Sequence, residues 1–223
     1  IGLNYKKDKI EYNNQSIIDH IQKDDVKSDI RNTQKMLRKW YYKTRKTNHG
    51  KPYMVFIQSS GGGLRATYWG MQVLQKLEAS TNGELMNHTV MMSGASGGMV
   101  GNAYFRQLYF LQKQGQDINP LDPKYREDMG DDILNAIFTG MATNDMIFPW
   151  QSFKQYGESY RKDRAYWFDK QLIENTSGLF SGKILDYKSA EEKAEIPLMI
   201  LTPTIINDQR ALVISASPAS YLC

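Results

Sequence analysis

The chain has 223 residues, 41% of them apolar and 23% charged, enough for a sizeable buried core. Its single cysteine, Cys223, rules out an internal disulfide and a cysteine-based metal cluster, and His20, His49 and His88 lack metal-ligand spacing, so no metal site is expected. No apolar run reaches the roughly 18 residues of a membrane-spanning helix. The net charge of +4 is uneven: residues 1–50 hold twelve Lys/Arg against six Asp/Glu, and the remainder sixteen against eighteen.

In chain order, residues 1–27 are polar and irregular, rich in Asn, Lys and Asp. The chain begins at Ile1 without a charged-then-apolar signal segment, so its true start is expected upstream. A helix is predicted from about Ser28, as N-cap, to Lys46. Its basic residues Lys35, Arg38, Lys39, Lys43, Arg45 and Lys46 interleave with Met36, Leu37, Trp40 and Tyr41. Two readings stay open: a surface helix packing its Leu37/Trp40/Tyr41 side on the domain, or a basic amphipathic helix resting on anionic lipid headgroups. Nucleic acid is not an expected partner, because no reading motif accompanies the charge. Residues 1–50 therefore form a basic helical lead-in to a domain spanning 51–223.

After the Asn48–Pro52 turn, Tyr53-Met54-Val55-Phe56-Ile57 is a short apolar run fitting a buried strand. It ends in Ser59-Ser60-Gly61-Gly62-Gly63, and a helix begins at once, with Ala66, Trp69, Val73, Leu74 and Leu77 on its predicted core face. Three consecutive glycines let backbone N–H groups converge on an anion with no side chain in the way. No Lys-Ser/Thr follows, which removes a nucleotide-binding P-loop. The run through Ala66 also fits the Gly-x-Gly-x-x-Ala dinucleotide fingerprint. That fingerprint wants an acid at the end of the second strand, where this chain has Met92-Ser93-Gly94.

Thr89-Val90-Met91-Met92 is the second apolar strand. It runs into Gly94-Ala95-Ser96-Gly97-Gly98, a Gly-x-Ser-x-Gly turn, and a helix follows with Val100, Tyr104, Leu108 and Leu111 in register. A serine on such a strand-to-helix bend exposes its hydroxyl. The small neighbours Gly94, Gly97 and Gly98 avoid collision with adjacent backbone. Strand, glycine turn, helix, twice over, predicts an α/β fold with a parallel sheet and crossover helices. Both turns then open on the same edge of that sheet.

Residues 115–123 read as a loop and 124–180 as mostly helical. The aromatic and Met-rich stretch from Met141 to Phe168 is either core or the lining of an acyl-chain pocket. Residues 197–201 and 211–214 are two strands of a hairpin joined around Asn207-Asp208.

Taken in combination and order, Ser60-Gly61-Gly62-Gly63-Leu64-Arg65-Ala66 and, about thirty residues on, Ser93-Gly94-Ala95-Ser96-Gly97-Gly98 resemble the patatin-like phospholipases and related cytosolic phospholipases. The likeness covers about residues 53–110. It implies a three-layer α/β sandwich with a mainly parallel central sheet, no cofactor, and lipid ester cleavage by a Ser–Asp dyad. Ser96 is then the nucleophile, and Gly62 and Gly63, with Gly61 nearby, form the oxyanion hole. Arg65 either meets a lipid phosphate or orders the loop through a salt bridge. The family's aspartate stands in an Asp-Gly-Gly or Asp-Ala-Gly motif, absent here; Asp169, Asp186 and Asp208 stand in other contexts. Either the base lies beyond residue 223 and the fold is incomplete at its C-terminal end, or the protein is a non-catalytic lipid-binding or scaffolding relative. No histidine follows Ser96, so a Ser–Asp–His order is not met. No EF-hand loop supports calcium dependence. The compartment stays open, with a cytoplasmic or peripheral-membrane location favoured.

Overall fold

The computed structural model describes residues 13–20, 23–46, 50–155, 157–205 and 209–222. His49, Asn207, Asp208 and Cys223 lie outside them. In chain order the elements are α1 (Asn14–His20), α2 (Lys23–Arg45), β1 (Val55–Ser59), α3 (Gly63–Ser80), α4 (Leu85–His88), β2 (Thr89–Gly94), α5 (Ser96–Lys113) and α6 (Lys124–Asp128). Then come α7 (Leu134–Gly140), a π-helical segment Met141–Ile147, β3 (Ser152–Gln155), β4 (Glu158–Arg161), α8 (Arg164–Asn175), α9 (Lys188–Glu192), β5 (Leu198–Leu201) and β6 (Ile214–Ser215). Two compact units result: Asp131–Ser181 with Ile1–Ser16, and Ile17–Gly130 with Gly182–Cys223.

The second unit is α/β. Its open sheet has the order β1-β2-β5-β6, with β1, β2 and β5 parallel and β6 antiparallel to β5. The two expected strand–turn–helix passages are present, and Ser59 pairs with Gly94 at the ends of their strands. The hairpin near the C-terminus is also present, with Leu201 opposite Ile214 and a further bridge between Thr204 and Ala211.

Helix α2 begins at Lys23, so Ser28 lies inside it rather than capping it. Asp24 and Asp25 occupy the first turn and Lys43 and Arg45 the last, each complementing the helix dipole. Buried Met36 and Trp40, joined by Leu37 and Tyr41, pack on Val90, Ala194 and Leu198. Lys39 and Lys43 donate to the carbonyls of Glu192 and Ala194, while Lys35, Arg38, Tyr42, Arg45 and Lys46 stay exposed.

Helix α3 buries a different face from the one its apolar spacing predicts. Met71 and Leu74 are buried, but so are Thr67, Gln75 and Glu78, whereas Trp69 is 66% exposed. The polar residues go inside because neighbouring backbone needs them. Gln75 Nε2 donates to the carbonyls of Pro120 and Asp122, and Glu78 accepts from the Met86 amide. Each otherwise lone backbone group thereby gains a partner.

Helix α5 matches its pattern, with Tyr104, Leu108 and Leu111 buried, and is covered nearly all round. Its buried Arg106 pairs with Glu191 and donates to the Pro197 carbonyl at 2.8 Å. Glu191 also accepts from the Met199 amide and the Ser217 hydroxyl, tying α9 to the strand β5 and to the residues after β6. Burial pushes the Glu191 carboxyl up, and the adjacent Arg106 opposes that shift.

In the first unit, residues 131–181 are less helical than their composition predicts. Strands β3 and β4 form an antiparallel hairpin, with Phe153 opposite Tyr160 and Gly157 in the left-handed region at the bend (φ 80°). Tyr160, Phe153, Tyr166 and Trp167 pack one against the next in that order, with centroid separations of 4.7–5.6 Å. Trp167 donates to Asn144 on the π-helical segment.

Candidate active site

The two glycine turns meet. Strand β1 ends at Ser59 and β2 at Gly94, and the Ala95 amide donates to the Ser59 carbonyl at 3.0 Å, closing the sheet edge where both turns emerge. A Cβ added at Gly61 would stand 3.2 Å from Ser96 Cβ. The proximity that the sequence reading requires is therefore present.

Ser96 itself has φ 48°, a left-handed conformation that non-glycine residues seldom adopt. Its side chain is exposed, whereas Gly97 and Gly98 behind it are buried. Contact explains those glycines. A Cβ at Gly97 would lie 2.0 Å from the Gly63 carbonyl oxygen, and one at Gly98 2.3 Å from that of Ser60. At Gly94 it would lie 2.8 Å from the Ser59 carbonyl oxygen. Each glycine is thus the condition for one turn to lie on the other.

Three polar side chains absent from the sequence-based candidates fasten this arrangement. Thr67 Oγ1 donates to the Gly97 carbonyl at 2.8 Å and reaches the Gly63 carbonyl at 3.3 Å, bridging the turns directly. Asn102 Nδ2 donates to the Ser93 carbonyl, and its Oδ1 accepts from Ser59 Oγ. The signal in the sequence was faint: Thr67 sits one helical turn after Gly63, and Asn102 is a polar residue on an otherwise buried helix.

Electrostatically, the centre lies between two helix starts. Helix α3 opens at Gly63 and α5 at Ser96, and neither has a side-chain cap. The first amides of each helix have no intrahelical acceptor and carry the positive end of the dipole, so negative charge is favoured there. Gly61, Gly62 and Gly63 are exposed, with φ of 150° at Gly62 and 60° at Gly63. Arg65, in the first turn of α3, is exposed and makes no ion pair with any described residue. Of its two sequence readings, a loop-pinning salt bridge is not seen among those residues. No described carboxylate or imidazole hydrogen-bonds to Ser96.

An apolar groove of about 450 Å³ runs from Ser60 back along β1 and beneath α3, lined by Val55, Phe56, Ile57, Trp69, Val73 and Leu77. The α3 residues expected in the core thus form one wall of an open groove. Groups of three or more His, Cys, Asp or Glu able to hold a metal are absent among the described residues. No helix of the described residues is long and apolar enough to cross a membrane.

Scanned against protein-family models the chain matches none, and neither curated proteins nor solved structures give a significant match.

Proposed function

We propose that this protein is a serine lipid acyl hydrolase of patatin-like, three-layer organisation, with Ser96 as nucleophile. The observation that carries this reading is the left-handed, exposed Ser96 held against the Gly61–Gly63 turn at the start of two uncapped helices. In the proposed reaction Ser96 Oγ attacks the ester carbonyl carbon and yields its proton to a base. The carbonyl oxygen becomes an oxyanion facing the amides of Gly62 and Gly63, each well-placed donor lowering the barrier by about 3 kcal/mol. Collapse expels the alcohol and leaves an acyl-enzyme, which water then cleaves. The base is an aspartate, as in the family that the two turns resemble, and Arg65 meets the phosphate of the lipid. The exposed basic side of α2 is a proposed contact with the lipid surface.

A second reading, a non-catalytic lipid-binding or scaffolding relative, draws on the lack of a proton acceptor at Ser96 among the described residues. A fluorophosphonate probe separates the two. Hydrolysis predicts labelling of the wild-type protein at Ser96 and loss of both labelling and ester turnover in Ser96→Ala. Turnover that survives Ser96→Ala unchanged overturns the assignment. Liposome binding with neither labelling nor turnover selects the second reading. A dinucleotide-dependent oxidoreductase is a third reading, removed if nicotinamide and flavin cofactors do not bind at millimolar concentration.

A further inference from the structure

Strand β1 is the outermost of the described strands of its sheet on one side, and the apolar groove of about 450 Å³ lies between it and α3. Its lining has a polar and an apolar end. Gln58, Ser59 and Ser60 stand where β1 enters the glycine turn, and every other residue lining the groove is apolar or glycine. None is charged. On α3 the wall is the stripe Ala66, Trp69, Val73 and Leu77. At roughly 1.5 Å per residue this stripe is about 16 Å long.

One residue of this lining is costly to the helix that carries it. Gly70 sits in the interior of α3, where glycine is weaker than alanine. Its φ is not positive, so the backbone does not call for glycine. Nor does packing, since an added Cβ there meets nothing within 4 Å. Gly94, Gly97 and Gly98 differ, each lying against backbone that a Cβ would strike. Gly70 lines the groove, so the space left by its missing side chain belongs to the groove.

The groove also runs into the candidate active site. Ser60, at its polar end, precedes the Gly61–Gly63 turn. Its carbonyl oxygen would stand 2.3 Å from a Cβ at Gly98, so the mouth of the groove lies against the start of α5, where Ser96 sits. We propose that this groove holds the acyl chain of the ester cleaved at Ser96, a single unbranched hydrocarbon tail, with Gly70 setting the depth of its bed. The proposal rests on the hydrolytic reading in one respect: the bound tail belongs to the ester whose carbonyl meets Ser96. A channel with uncharged apolar walls and polar side chains at one end matches a molecule that is polar at one end. A polar or charged ligand laid along it would lose water without gaining hydrogen bonds from those walls.

The test uses the full chain and two readouts. The first is kcat/KM on p-nitrophenyl acetate, butyrate, octanoate and laurate. It rises with chain length by up to about fourfold per methylene, the factor equivalent to burying one CH₂ at roughly 0.8 kcal/mol. Gly70→Leu fills the bed without breaking the helix, and lowers the laurate-to-acetate ratio at least about tenfold, as exclusion of two methylenes requires. The second readout is independent of turnover: a brominated fatty acid quenches tryptophan fluorescence in Ser96→Ala, saturably, and adding Trp69→Phe removes that quenching. Turnover with no dependence on chain length, a ratio unchanged in folded Gly70→Leu, or quenching that persists without Trp69 overturns the groove assignment and leaves the hydrolytic reading standing. Quenching through Trp69 with no ester turned over by the wild-type protein overturns the hydrolytic reading instead, and with it the ester as the source of the tail. Gly70→Leu that abolishes self-association while keeping the laurate preference also overturns the assignment, since a second copy would then occupy the groove.

Discussion

At the position of the Thr67 hydroxyl, one hydrogen bond decides whether two turns behave as a single object. It donates to the Gly97 carbonyl from a buried position, so its loss leaves that carbonyl without its partner. Thr67→Val removes the donor at nearly constant volume and is expected to cost about 1–3 kcal/mol in urea unfolding. Fluorophosphonate labelling of Ser96 should slow in the folded variant as the turns lose their register. Labelling at the wild-type rate would mean that the glycine contacts alone hold the geometry. At this scale the sequence was partly legible. The serine and glycines announced themselves through spacing that only a crowded bend requires, whereas Thr67, Asn102 and Ser59 act through partners distant in the chain. A side chain that bonds to a backbone carbonyl 30 residues away leaves no periodic trace.

Among the elements, α3 shows how apolar spacing misleads. Trp69 and Leu77 match a helical stripe but line an open groove, while Gln75 and Glu78 are drawn inside to satisfy the loop at 120–122 and the start of α4. Burial raises the Glu78 carboxyl above its ordinary value, against the Met86 amide that it accepts. A carboxyl that binds its proton more tightly in the fold than in the unfolded chain favours the fold at low pH. That advantage fades as the pH passes the ordinary carboxylate value and is gone above the raised one. Glu78→Gln should therefore melt increasingly above wild type as the pH is raised from acid through the carboxylate range to neutrality. A melting difference independent of pH would place the effect in packing instead. The hairpin β3–β4 escaped the sequence for another reason. Each strand has four residues with a single large apolar side chain facing the stack, too few to establish a period of two. Strand β2 was legible because it lies between two parallel neighbours and reads as a continuous apolar run. Strand β1 forms where expected but at the edge of the described sheet, with Tyr53 and Phe56 exposed rather than in a buried strand.

For the molecule as a whole, two contact units mean two sets of stabilising interactions. Gly140 lies against Trp167, with an added Cβ only 2.5 Å from the indole Cδ1. Gly140→Ala should displace that ring and loosen its bond to Asn144. In native-state hydrogen exchange, protection should fall across residues 131–181 while the amides of α5 keep theirs. A uniform loss along the chain would show that both units open in one step. The α/β architecture of the larger unit followed from the alternation of strands and helices. The division of the chain did not, because it joins segments with no shared composition.

The backbone at residue 96 has one more implication, for how such a chain changes over generations. A left-handed serine is held at a cost of about 1–3 kcal/mol, and glycine would occupy the same bend without it. Ser96→Gly should then raise the melting temperature while removing the hydroxyl. On the proposed hydrolytic reading, copies released from selection for chemistry would drift toward glycine there.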